Sequence, residues 1–206
     1  MTPAREGLRR LREGNRRFVS GRQGDAGLDA ARRRELADGQ EPFAIVLGCS
    51  DSRVPAELVF DQGLGDLFVI RVAGNIVAPS QIGSVEFAAE RFGTRLVVVL
   101  GHSRCGAVLA TLEAIERPSF VSPNLRSIVD RIRPALEDTP RDGRTSSEDI
   151  VQNAVRANVR ASAEHLRNGS AILRDLIARN GLLVVGADYG LDTGVVEFFD
   201  GVPDDL

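Results

Sequence analysis

The chain has no lysine and no tryptophan, and among its 206 residues it has one tyrosine, one methionine, two cysteines and two histidines. All 26 basic residues are therefore arginine. Without lysine no Schiff base can form, and no GxxxxGK[ST] phosphate-binding loop can be completed. No run approaches the roughly 18–20 apolar residues that a membrane span needs. Met1 to Phe18 is crowded with Arg and Glu and has no apolar core of a secretory signal, so the expected compartment is the cytoplasm, with no membrane partner. A net charge of −3 without a clustered basic face gives no footprint for nucleic acid. Two cysteines in such a chain are poor material for a disulfide framework.

What the chain does contain is a series of short, predominantly apolar runs. Phe43–Gly48, Leu67–Val72, Leu96–Leu100 and Leu182–Val185 are rich in Val, Leu and Ile and too short for helices. They read as buried strands. Between them, helical patterns are expected at Ser84–Arg91, Cys105–Glu116, 147–167 and Ala171–Arg179, the third capped by Ser146 with Asp149. Strands alternating with helices predict an α/β fold with a mostly parallel four-stranded sheet flanked by helices. Val195–Phe199, after the turn residues Asp192-Thr193-Gly194, is a possible fifth, antiparallel edge strand. Residues 4–20 and 28–37 read as two leading helices, so that 1–38 forms an N-terminal helical arm on one domain spanning 1–206. The polar stretch Pro134–Ser147 reads as a surface loop.

Two of the runs end in polar clusters, Gly48-Cys49-Ser50-Asp51-Ser52-Arg53 and Gly101-His102-Ser103-Arg104-Cys105-Gly106. In open parallel sheets, ligands bind beyond the carboxyl ends of the strands. Adjacent strands would bring these two clusters together. A cysteine after a strand is commonly core filler, yet both cysteines of the chain and one of its two histidines fall at these ends. Cys49, His102 and Cys105 are donors that suit tetrahedral zinc and leave its fourth position free. Asp51 is placed either as a fourth ligand or as a partner just outside the metal, and Arg53 can hold it by a bidentate ion pair. Competing patterns are weaker. Gly101-His102-Ser103-Arg104-Cys105 lacks the final glycine of a nucleophile elbow. A Cys–His thiol nucleophile leaves the second cysteine without a role. Gly63-Leu64-Gly65 lacks the third glycine of a dinucleotide fingerprint. His165, beside Glu164 and Arg167, reads as a surface histidine.

Cys49-Ser50-Asp51-Ser52-Arg53-Val54 followed by Gly101-His102-Ser103-Arg104-Cys105-Gly106 resembles the paired signature of the β-class carbonic anhydrases. The similarity extends from Leu11–Phe18 through Asp66–Arg71 and Ala73-Gly74-Asn75 to Gly186–Tyr189 and Asp192–Gly194. It implies Zn2+ on Cys49, His102 and Cys105, with Asp51 and Arg53 as a catalytic pair and Asp51 itself on the metal only in a closed form. It further implies Gln40 as a substrate hydrogen-bond donor, Phe68 and Phe87 as the walls of an apolar pocket, and Gly106 as a backbone N–H donor. The implied reaction is reversible hydration of carbon dioxide to bicarbonate and a proton by a hydroxide held on zinc. The implied assembly is a homo-oligomer, dimer or tetramer, whose pocket is built across an interface. Some members hold inhibitory bicarbonate between Trp, Arg and Tyr; here Arg71 and Tyr189 match, but Val46 stands at the tryptophan position. Two other readings share the motif. One is a hydrolase of a related heterocumulene such as carbon disulfide, and the other is a non-catalytic, zinc-stabilised binding module.

Overall fold

The computed structural model describes residues 1–24, 29–117, 121–137 and 146–204. Strands β1 (Ala44–Gly48), β2 (Leu67–Arg71), β3 (Leu96–His102), β4 (Leu183–Tyr189) and β5 (Val196–Asp200) form one sheet in the order β2-β1-β3-β4-β5. The first four are mutually parallel, and β5 pairs antiparallel to β4 at the edge. The possible fifth strand is thus real. Every residue of β1 and β3 is buried, as the unbroken apolar runs require of central parallel strands covered on both faces. The edge strands β2 and β5 are only partly covered.

Pleating sends alternate side chains to opposite faces. On one face Val46, Val98 and Val185 pack with Leu8 and Leu11 of α1 (Ala4–Val19) and with Val59 of α3 (Ala56–Val59). On the other, Ile45, Leu47, Val97, Val99 and Val184 meet α4 (Pro79–Arg91), α7 (Ser147–Asn168) and α8 (Ala171–Asn180). Helix α7 lies very close to the sheet. A Cβ on Gly101 would come 2.5 Å from Val159 Cγ2, and one on Gly186 would come 2.8 Å from Val159 Cγ1. A third core cluster, between α5 (Gly106–Glu116), α6 (Pro123–Leu136) and α7, contains both cysteines.

The leading helices differ from each other. Helix α1 is part of the core: its Asn15 donates from Nδ2 to the carbonyls of Val59 and Gly194, at 3.1 and 2.8 Å. Helix α2 (Ala30–Glu35) and the 3-10 turn Leu36–Asp38 bury no residue at all. The start expected at residue 28 lies outside the described residues.

One expectation fails. Pro134 does not open a loop, because α6 runs through it to Leu136. Ile132 and Leu136 are both fully buried, and burying two such side chains, at about 1.5–3 kcal/mol each, offsets a proline in the last turn, at about 3 kcal/mol. Residues 138–145 of the expected loop lie outside the described residues, and α7 begins at Ser147 behind its Ser146 cap. No helix among the described residues is long and apolar enough to cross a membrane.

Candidate metal centre

Strand β1 delivers Cys49 one residue past its end, β3 carries His102 as its last residue, and Cys105 immediately precedes α5. Because β1 and β3 are neighbours, with Gly48 opposite Leu100, their carboxyl ends converge. The turn between His102 and Cys105 is tight, and Arg104 adopts φ +55° within it. The ligand atoms of Cys49, His102 and Cys105 all lie within 4.8 Å of one another, and the three side chains are buried. A tetrahedral zinc with bonds of about 2.0–2.3 Å spans ligand atoms roughly 3.5–4 Å apart, so the cluster needs little adjustment to close on an ion.

The hydrogen bonding fits a metal. His102 Nδ1 lies 3.0 Å from the Ser103 carbonyl, which fixes the proton on Nδ1. Nε2 is then an acceptor, and it is buried without a hydrogen-bond partner. A buried imidazole lone pair without a hydrogen-bond partner, close to two cysteine sulfurs, fits a zinc ligand set. The thiols are coupled. Cys49 is held well below the ordinary thiol range, first by its hydrogen bond from Cys105 and further by the backbone N–H groups of Gly74 and Asp51, against the opposing effect of burial. Cys105 is pushed upward because it keeps the shared proton and is buried. Two thiolates and a neutral imidazole would balance a divalent ion's charge, and soft sulfur ligands select zinc over magnesium or calcium.

Asp51 is not part of the three-ligand cluster. Its Oδ1 accepts from Arg53 Nε at 2.9 Å and from the Arg53 backbone N–H at 3.0 Å, while Oδ2 accepts from Arg53 Nη2 at 2.7 Å. Oδ2 also lies 3.8 Å from His102 Nε2, at the rim of the cluster. The Arg53 guanidinium holds this carboxyl well below the usual carboxylate range. A further support comes from a residue that the resemblance placed only in a bicarbonate pocket. Arg71, at the end of β2, donates from Nε to the Cys49 carbonyl at 3.0 Å and from Nη2 to the Asp51 carbonyl at 2.6 Å. A lone charge closing the run Leu67–Arg71 was the available signal.

The expected pocket residues divide. Gly106 stands at the first turn of α5 beside Cys105, with open space where a Cβ would be. Gln40, Phe68 and Phe87 do not join the cluster within this chain. Gln40 precedes β1, whereas Cys49 follows it, and five strand residues separate them by about 17 Å. Phe68 is in register with Ile45, four residues or about 13 Å short of Cys49. These three residues gather instead around Phe92. Phe68 and Phe87 lie 6.0 and 5.5 Å from it, ring centre to ring centre, and Gln40 shares with it a hollow of about 650 Å³ that also includes Leu36 and Leu64. Phe87 is 54% exposed.

A parallel α/β sheet with a buried Cys-His-Cys set at its carboxyl edge, flanked by an arginine-held aspartate, defines a zinc-site enzyme scaffold. The family model described as carbonic anhydrase matches residues 44–196, and the chain belongs to that family. It is 41% identical to carbonic anhydrase 2 of Mycobacterium tuberculosis over 89% of this chain and 87% of that one. It is 38% identical to a carbonic anhydrase of Mycolicibacterium smegmatis, over 91% and 89% of the two chains. Among solved structures, a tetrameric β-carbonic anhydrase of Sordaria macrospora superposes with a TM-score of 0.74 at 27% identity, covering 81% of this chain and 85% of that one. The Coccomyxa β-carbonic anhydrase bound to acetazolamide gives 0.73 at 27% identity, covering 91% and 83%. The membership is of the β class.

Proposed function

We propose that the protein catalyses the reversible hydration of carbon dioxide at the Cys49–His102–Cys105 centre. The observation that carries this reading is the partnerless, buried Nε2 of His102 facing two coupled thiols, with Asp51 at their rim. Zinc, when bound there, supplies a Lewis acid that brings the ionisation of water from about 15.7 to about 7. The chain's own groups do the rest. Asp51, kept ionised by Arg53, accepts a hydrogen bond at Oδ2 and so orients the attacking oxygen's lone pair toward carbon. Arg71 fixes the backbone on both sides of Ser50 and keeps Asp51 at the rim. The Gly106 N–H, at the first position of α5, is a donor for a product oxygen.

The chain acts, in this reading, as a homo-oligomer, dimer or tetramer, in which Gln40, Phe68 and Phe87 complete the pocket of a partner. Two features support it: these residues collect on one exposed patch away from their own metal, and the neighbouring α2 segment buries nothing within its own chain. Two free thiols within 4.8 Å of each other suit a reducing compartment, in agreement with the cytoplasm. Arg71 is committed to two carbonyls and Val46 is buried in the sheet, so inhibition by bicarbonate is expected to be weak.

Stopped-flow assays on the purified protein test the reaction. Carbon dioxide hydration that disappears with a zinc chelator supports the proposal. Turnover of carbon disulfide without hydration of carbon dioxide would replace it, and a zinc-loaded protein inert to both would leave a binding module.

A further inference from the structure

Helix α7 reaches the metal centre by a route other than apolar packing. Asn158, in the middle of that helix, is 2% exposed. Its neighbours Ala154, Val155, Val159 and Ala163 are buried aliphatic residues. A buried amide among them is costly unless it is bonded. Asn158 Nδ2 donates at 2.8 Å to the carbonyl of Gly74, 84 residues away in sequence. The N–H of the same glycine donates to Cys49 Sγ at 3.4 Å. Gly74 has φ +69° and ψ +21°, a left-handed conformation, and a Cβ on it would come 2.7 Å from Ile132 Cδ1 and 2.9 Å from Ala107 Cβ. The residue is therefore wedged between α5 and α6 and pinned from α7.

We propose that Asn158 is a positioning residue for the metal centre: by holding the Gly74 carbonyl it sets that residue's backbone angles and aims its N–H at the Cys49 sulfur. The proposal rests on the zinc reading above. An N–H···S bond draws electron density from a thiolate and restrains its position. It thereby tempers sulfur's donation to the metal and slows the ligand's departure, and groups placed so commonly change metal affinity or activity by about 10–100-fold. Burial alone would make Asn158 a structural residue, so the test must read the sulfur itself.

The experiment compares wild type, Asn158→Leu and Ser162→Ala. Leucine keeps the volume and removes the donor. Ser162, one turn further along α7 and also buried, is the control for disturbance of the helix. In the wild type loaded with 113Cd, a scalar coupling is expected between the metal and the Gly74 amide proton, transmitted through the hydrogen bond. In Asn158→Leu the coupling falls. The sulfur-to-metal charge-transfer band of the cobalt-loaded protein moves to longer wavelength, because the sulfur lone pairs are less stabilised. Zinc passes to a chelator about 10–100-fold faster. Ser162→Ala changes none of these. Should the leucine variant fail to fold, Asn158→Ser, too short to reach Gly74, is expected to give the same three changes. A metal-loaded Asn158 variant with wild-type coupling, band and release rate overturns this inference alone. A wild type that takes up none of the three metals overturns the zinc site, and this inference with it.

Discussion

At Asp51 a carboxylate stands between a guanidinium that holds it and a buried histidine nitrogen 3.8 Å away. Arg53 is 55% exposed, so the pair adds little to folding; its effect falls on where Asp51 points. Arg53→Ala is therefore expected to keep its zinc and its fold while losing about 10²-fold or more in rate, the cost of a misplaced reacting group. The sign of the pH effect follows from the direction of the shift. Asp51's folded pKa is depressed, so its ion pair is intact above the ordinary carboxylate value of about 3.9 and is lost only as pH falls through the lower, folded one. Without Arg53 that ionisation moves up in pH, and the deficit should deepen as the assay is taken from neutrality toward acid. A pH–rate profile with parallel zinc analysis checks this; a variant matching wild type at every pH removes Arg53 from the mechanism. The residues at the two strand ends were legible because cysteine, histidine and aspartate are conspicuous where a strand should give way to an ordinary turn. The backbone-holding roles of Arg71 and Asn158 were not. Each acts through a backbone carbonyl, and a bond to a carbonyl leaves no mark on the sequence of its acceptor.

Among the elements, α7 packs tightly on the carboxyl half of the sheet, with Val159 seated against Gly101 of β3 and Gly186 of β4. Gly101→Ala would drive a methyl to 2.5 Å from Val159 Cγ2, one residue before His102. Overpacking of this kind costs about 1–3 kcal/mol, which should appear as a lower urea midpoint together with weakened zinc retention. Gly106→Ala is the contrasting case. Nothing lies within 4 Å of its added methyl, so stability should be unchanged or slightly higher. Equal losses in the two variants would mean that α7 does not set the position of β3. The central strands were readable because full burial writes them as continuous apolar runs. Helix α6 was not, although Leu125, Ile128, Val129 and Ile132 follow helical spacing, because a proline stands at each end and Pro134 reads as the start of a loop. Pro123 in fact occupies the first turn, behind the Ser122 cap, where proline is favoured. Helix α3, at four residues, is too short to show any periodicity.

For the whole molecule, the separation of Gln40, Phe68 and Phe87 from their own metal ligands makes a prediction about assembly. In a two-fold dimer with shared pockets, Gln40→Ala and Cys49→Ser each disable a site, but on opposite sides of the interface. Mixed one to one after dissociation and reassociation, half of the dimers are hybrids, and each hybrid has one intact site. About a quarter of wild-type activity should return from two inactive parents. If both residues served the same chain's site, no activity would return. Catalysis by zinc on Cys49, His102 and Cys105 is tested by stripping the protein of metal and measuring carbon dioxide hydration as zinc is restored. The rate should rise in proportion to bound zinc and level off near one zinc per chain, about the stoichiometry of a single tetrahedral site. Hydration by the metal-free protein, or none at one zinc per chain, would contradict it.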